Sequence, residues 1–167
     1  MKRATLLNLG IAGLSFGAVA AAGILQSAWY LQPCTMCIVQ RYAFLAIGLL
    51  ALSRMAVAGR LAAATRFASY LVGMVGVLAS LRVQWAISVP SATCGRDKMA
   101  AFLNNLPWVD AWPSMFEATG VCGDVVPPVL GLPFHGWSFV LLILVLLLTW
   151  RLGAPAAKRT QPSQGIA

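Results

Sequence analysis

Four long apolar runs organise this chain. No charged residue occurs from Ala4 to Gln40. Within that run, residues 6–29 can cross the roughly 30 Å hydrocarbon layer of a bilayer as a helix. A second run covers 37–57 and carries Arg41 near one end. A third covers 67–87, with Arg82 near its far end. A fourth covers 134–152, its most apolar part bracketed by Trp137 and Trp150, as interfacial tryptophans bracket many spans. A short connection, 30–36, and a long one, 88–133, separate the runs, and 153–167 reads as a disordered tail. The pattern predicts an all-α membrane protein: one domain over 1–152, a bundle of four transmembrane helices.

The first run has a competing reading. Lys2-Arg3, an apolar stretch and Ala18-Val19-Ala20 also resemble a signal peptide with its cleavage site. The run continues to about Leu31, too long for such a peptide, so a retained helix is expected. Gly10, Gly13 and Gly17 form a stripe of small residues suited to close helix packing.

Composition narrows the class. Of 167 residues, 60% are hydrophobic and 10% charged, too few charges to cover a soluble globule and too much apolar surface for disorder. The net charge of +8 comes from placement rather than from a nucleic-acid groove. Lys2 and Arg3 precede the first run, Arg54, Arg60 and Arg66 lie between the second and third, and Arg151, Lys158 and Arg159 follow the last. By the positive-inside rule both termini are cytoplasmic, and the short and long loops lie on the outer side of the membrane.

The long loop differs from the rest. It holds Asp97, Asp110, Glu117 and Asp124, which are all the acids of the chain. Asp110 is placed to cap a short helix over 111–119, with Pro113 in its first turn and Gly120 just past its end. Trp112, Met115 and Phe116 would share one face, resting either on lipid headgroups or on the bundle.

The four cysteines, Cys34, Cys37, Cys94 and Cys122, fall in those two loops and hence on one side of the membrane. Three uses compete. Two bridges could staple the loops. Four thiolates could hold zinc, although such sites usually use two C-x-x-C knuckles and only one is present. The third use is redox. A C-x-x-C loop is small and makes a poor staple, but its second thiol can resolve attack on the first. Arg41 favours the redox use. It lies one helical turn beyond Cys37, where a guanidinium stabilises a thiolate and can donate to a carbonyl of a lipid-soluble acceptor such as a quinone. Snorkelling to the interface is the plainer role for Arg41.

At Gln32-Pro33-Cys34-Thr35-Met36-Cys37-Ile38-Val39-Gln40-Arg41 the sequence resembles the disulfide bond formation protein B (DsbB) family of bacterial inner membranes, which implies that the outer side is the periplasm. The similarity extends over about 6–152 and includes the long loop with two cysteines. The resemblance implies a dithiol:quinone oxidoreductase. Such a protein reoxidises a periplasmic thioredoxin-like oxidant of the DsbA type and passes the electrons to ubiquinone or menaquinone, without a metal. It further implies that Cys94 and Cys122 form the loop pair that meets the partner. Cys34 and Cys37 would be the membrane-proximal pair, reached through a transient Cys34–Cys122 bridge, and Arg41 the quinone-site arginine.

One departure stands out. Some family members carry a histidine near the outer end of the third helix, and here Ser80–Ala86 has none. Arg82 there is expected to snorkel outward. The sole histidine, His135, starts the fourth run and reads as a surface residue. Two rivals remain at this level: a paralogue serving another dithiol partner, and a non-catalytic membrane protein stapled by disulfides.

Overall fold

A computed structural model describes residues 2–89, 98–121, 128 and 131–153. Six helices occur among them: α1 (Lys2–Trp29), α2 (Thr35–Ala56), α3 (Gly59–Ser88), α4 (Lys98–Asn104), α5 (Pro113–Phe116) and α6 (Phe134–Gly153). Four of these, α1, α2, α3 and α6, are long and apolar enough to cross a membrane. At 1.5 Å per residue the 28 residues of α1 extend about 42 Å, more than the hydrocarbon layer needs. The expected tail lies outside the described residues.

The long helices close into a ring. α2 packs between α1 and α3, and α6 completes the circuit by packing against α3 and α1. α2 and α3 are joined by Val57 and Ala58 alone, and Gly59 adopts φ +60°, a left-handed value that suits glycine. α3 therefore starts well before the third apolar run and takes Arg60 and Arg66 into its first turns.

The burial pattern is that of a protein in lipid. Leu6, Leu49, Phe67, Leu78 and Trp150 are exposed on the outside of the ring. Inside, Ile11, Phe44, Ile47, Leu142 and Val145 form the core, beside small polar residues. Three of those polar residues are satisfied by their own helices: Ser69 donates to the Thr65 carbonyl, Ser80 to Gly76 and Thr149 to Val145. Lipid provides no acceptor for a stray hydroxyl, so this internal bonding lets small polar groups sit within a spanning helix.

The close approaches between helices are not where the glycine stripe placed them. A Cβ added at Gly10, Gly13 or Gly17 would meet nothing within 4 Å. One added at Gly76 would lie 3.0 Å from Ala43 of α2 and 3.1 Å from Leu142 of α6. Spacing marks small residues but not which face meets a neighbour. The tight approaches between spanning helices are at Gly48 of α2, against Phe16, and at Gly73 and Gly76 of α3.

Residues 98–121 are fastened down rather than loose. Ala100, Leu103 and Ala118 are buried against Ile38 of α2. Asn104 binds the Ala118 backbone in both directions, accepting from its N–H at 2.8 Å and donating to its carbonyl at 3.1 Å. Tyr42 of α2 stacks on Phe116 and accepts a hydrogen bond from the Trp108 indole at 2.9 Å. The short helix in this segment is smaller than expected. It covers Pro113–Phe116 with Trp112 rather than Asp110 at its N-cap, because proline at its first position already supplies the starting φ. Its apolar face divides: Met115 packs on the bundle core and Phe116 on Tyr42, while Trp112 remains exposed.

Candidate redox site

The N-terminus of α2 presents the dithiol. Cys34 is the N-cap residue, and Cys37 lies in the first turn. Their sulfurs are 2.8 Å apart, so a small movement closes a disulfide of about 2.05 Å. Unbonded backbone N–H groups at a helix start favour negative charge, and so favour a thiolate there. The two sulfurs have different surroundings. Cys34 is buried with Val83 and Ala86 of α3. Cys37 is half-buried and faces a cavity of about 280 Å³ between α1, α2 and α6.

That cavity is mainly apolar, and its polar groups come from α2 and α6. α1 supplies Ala18, Val19, Ala22 and Leu25. α2 supplies Cys37, Gln40 and Arg41, and α6 supplies His135, Trp137 and Ser138. His135 is thus not a surface residue: it is buried and lines the same cavity as Cys37. The α6 backbone enters the bundle at that point, which its position at the end of an apolar run did not reveal.

Arg41 is buried, with 5% of its surface exposed. One guanidinium nitrogen donates to the Met115 carbonyl and lies 3.7 Å from the Met115 sulfur. The other terminal nitrogen donates to Gln26 Oε1 at 2.6 Å. Gln26 in turn donates from Nε2 to the Ser114 carbonyl at 2.6 Å. The charge is therefore anchored to α1 and α5, within electrostatic range of both sulfurs, and does not snorkel. That Gln26, Ser114 and Met115 hold Arg41 escaped the sequence reading, because these partners lie far apart along the chain. Arg82 is half-buried, with its guanidinium 4.3 Å from the Trp85 ring centroid.

A second backbone segment touches the dithiol. The amides of Thr119 and Gly120 both donate to the Pro33 carbonyl, at 3.2 and 3.1 Å. Gly120 pairs with Cys34 as an isolated β-bridge. The approach needs glycine, since an added Cβ would lie 2.2 Å from the Gln32 carbonyl oxygen. Gly120 thus serves the dithiol rather than a helix end. Cys94 and Cys122 lie outside the described residues.

A dithiol at a helix start, set into four spanning helices beside a buried cation, is the equipment of a membrane oxidoreductase working through disulfides. The family model for disulfide bond formation protein DsbB matches residues 3–152. A disulfide bond formation protein B 2 from Burkholderia lata is 36% identical over 160 residues, covering 95% of this chain and 94% of its own. A disulfide bond formation protein B from Cupriavidus metallidurans is 40% identical over 147 residues, with 86% and 88% covered. One from Pseudomonas syringae is 34% identical over 145 residues, with 86% and 84% covered. No solved structure matches. The chain belongs to the disulfide bond formation protein B family.

Proposed function

We propose that the protein reoxidises a periplasmic thioredoxin-like dithiol of the DsbA type and passes its electrons to a membrane quinone. The observation that carries this reading is the shared cavity: Cys37 and Arg41 line one space walled by apolar α1 residues. An apolar wall suits a lipid-soluble ring, and a cationic donor suits its carbonyl oxygen.

The chemistry is two exchanges followed by one reduction. A partner thiolate attacks Cys94 of a Cys94–Cys122 disulfide, and Cys122 leaves as a thiolate. The second partner thiol resolves the mixed disulfide, so the partner loses two electrons and the loop pair gains them. Cys122 then attacks Cys34 of the Cys34–Cys37 disulfide and Cys37 leaves. Cys94 resolves the Cys34–Cys122 bridge, which restores the loop disulfide and leaves Cys34 and Cys37 reduced. The quinone, ubiquinone or menaquinone, supplies a sink for two electrons and two protons. Cys37 delivers the electron pair, Cys34 closes the disulfide onto it, and Arg41 holds the positive charge where negative charge develops.

The Gly120 contact supports the Cys34–Cys122 step. Gly120 pairs with Cys34 and precedes Cys122 by two positions in the sequence, so we read this bridge as a tether for that exchange. Gly120→Val should lift that segment off Gln32 and slow turnover by about tenfold or more. Quinone affinity should be retained. Unchanged turnover would remove the tether from the mechanism.

The orientation belongs to the same proposal: both termini cytoplasmic and all four cysteines periplasmic, a reading supported by the placement of the basic residues. The deciding experiment is optical. Purified protein receives a reduced DsbA-type donor, and quinone reduction is followed. Wild type should turn over, and Cys94→Ser should not. Quinone bound without turnover would indicate a different dithiol partner. Neither binding nor turnover would indicate structural disulfides.

A further inference from the structure

Gln40 is buried at the cavity and unused by the chemistry above. It follows Cys37 by three positions and precedes Arg41, so the three share one face of α2. It lines the same cavity and is 5% exposed. Its amide nitrogen is buried and has no hydrogen-bond partner among the described residues. The other orphaned buried atoms belong to Asn8, Ser15 and Arg54, none of which lines this cavity.

An unsatisfied buried N–H destabilises the protein that carries it. Ser69, Ser80 and Thr149 avoid that cost by bonding to backbone carbonyls, and of the orphaned groups among the described residues only Gln40 lines the cavity. A purely structural residue at position 40 would be better apolar. A donor kept at a cavity edge fits an acceptor that arrives with a ligand. Acyl chains carry no acceptor, whereas a quinone carries two carbonyl oxygens.

We propose that Gln40 Nε2 donates a hydrogen bond to a carbonyl oxygen of the quinone, as a second anchoring donor beside Arg41. This rests on the quinone reading of the cavity and assigns that site a residue whose role is recognition of the ring rather than electron transfer. A neutral amide holds the oxygen without adding a charge that the reduced product would also attract. Arg41 supplies the charge, and Gln40 supplies selection for a carbonyl-bearing ligand.

The two possible roles of Gln40 predict opposite signs. Gln40→Met keeps the volume and removes the donor. With a soluble short-chain ubiquinone as the probe, its KM for quinone should rise about tenfold, the effect of losing one buried hydrogen bond. Thermal unfolding of the quinone-free variant should occur at the wild-type temperature or above, and the stabilisation on adding the probe should shrink. Gln40→Glu, whose carboxylate accepts but does not donate when ionised, should weaken the probe as well and serves if the Met variant fails to fold. Disulfide exchange with the dithiol donor, read on the same samples, normalises for folded protein. An unchanged quinone KM in a folded variant would overturn the proposal, as would a lowered unfolding temperature with the probe's stabilisation intact. If wild type itself neither binds nor reduces the probe, the quinone reading has failed and this assignment with it. Wild type that binds while Gln40→Met binds equally well removes Gln40 alone.

Discussion

Exchanging Cys37 for serine should abolish quinone reduction, lowering turnover by roughly a thousandfold or more, as loss of a reacting nucleophile does. The two cysteines of the motif are not equivalent in their surroundings. Cys37 faces the cavity beside Arg41, while Cys34 is packed against Val83 and Ala86 and pairs with Gly120. Only Cys37 is placed to hand electrons to a ligand in that space. Serine preserves its volume but forms no disulfide and is not ionised at neutral pH. Cys34→Ser should stop steady-state turnover equally, since the Cys34–Cys37 bond cannot close. Trapping separates the two. In Cys37→Ser, Cys34 remains available to Cys122, so a cross-linked species should be visible by peptide mapping under non-reducing conditions. In Cys34→Ser that species cannot form. Quinone reduction by Cys37→Ser above one-hundredth of wild type would remove Cys37 from the terminal step.

The parts of this molecule legible in sequence are those with a local or periodic signature. Four spans show as predominantly apolar runs long enough for a bilayer, and the structure contains four such helices. The dithiol and Arg41 show because their spacings of three and four put them on successive turns of one helix. The supports of Arg41 have no such signature. Met115 is 74 positions from it, and the Gln26–Ser114 bond spans 88. Glutamine in a spanning run reads as an interruption until its partner is known. His135 illustrates the converse case. A polar residue at the end of an apolar run resembles an interfacial marker, and only the crossing of α1, α2 and α6 turns it toward the cavity. Gly120 likewise suits a helix end by type, while its use depends on a backbone almost ninety positions earlier, at Gln32.

Arg41→Met should lower kcat/KM for quinone by about a hundredfold, equivalent to about 2.7 kcal/mol of transition-state stabilisation. Two losses combine. The positive charge beside the developing negative charge disappears. The Met115 carbonyl and Gln26 Oε1, both partly buried, also lose their donor, and a fully buried acceptor left without one costs about 1–3 kcal/mol, an upper bound here. α5 is tied to the bundle partly through that donor, so its seat over the cavity should loosen. Arg41→Lys should recover part of the activity, since it restores the charge but cannot reach Met115 and Gln26 with one planar fork. Gln26→Met separates charge from anchoring: it cuts the tether between α1 and α5 and leaves the guanidinium in place. If Gln26→Met reproduces the full loss in quinone turnover, Arg41 acts by holding α5 and not by its charge at the ligand. A small effect of Gln26→Met beside a large one of Arg41→Met would assign the charge itself to the reaction. A kcat/KM for Arg41→Met within twofold of wild type would take the arginine out of the quinone site and leave it as a structural clamp.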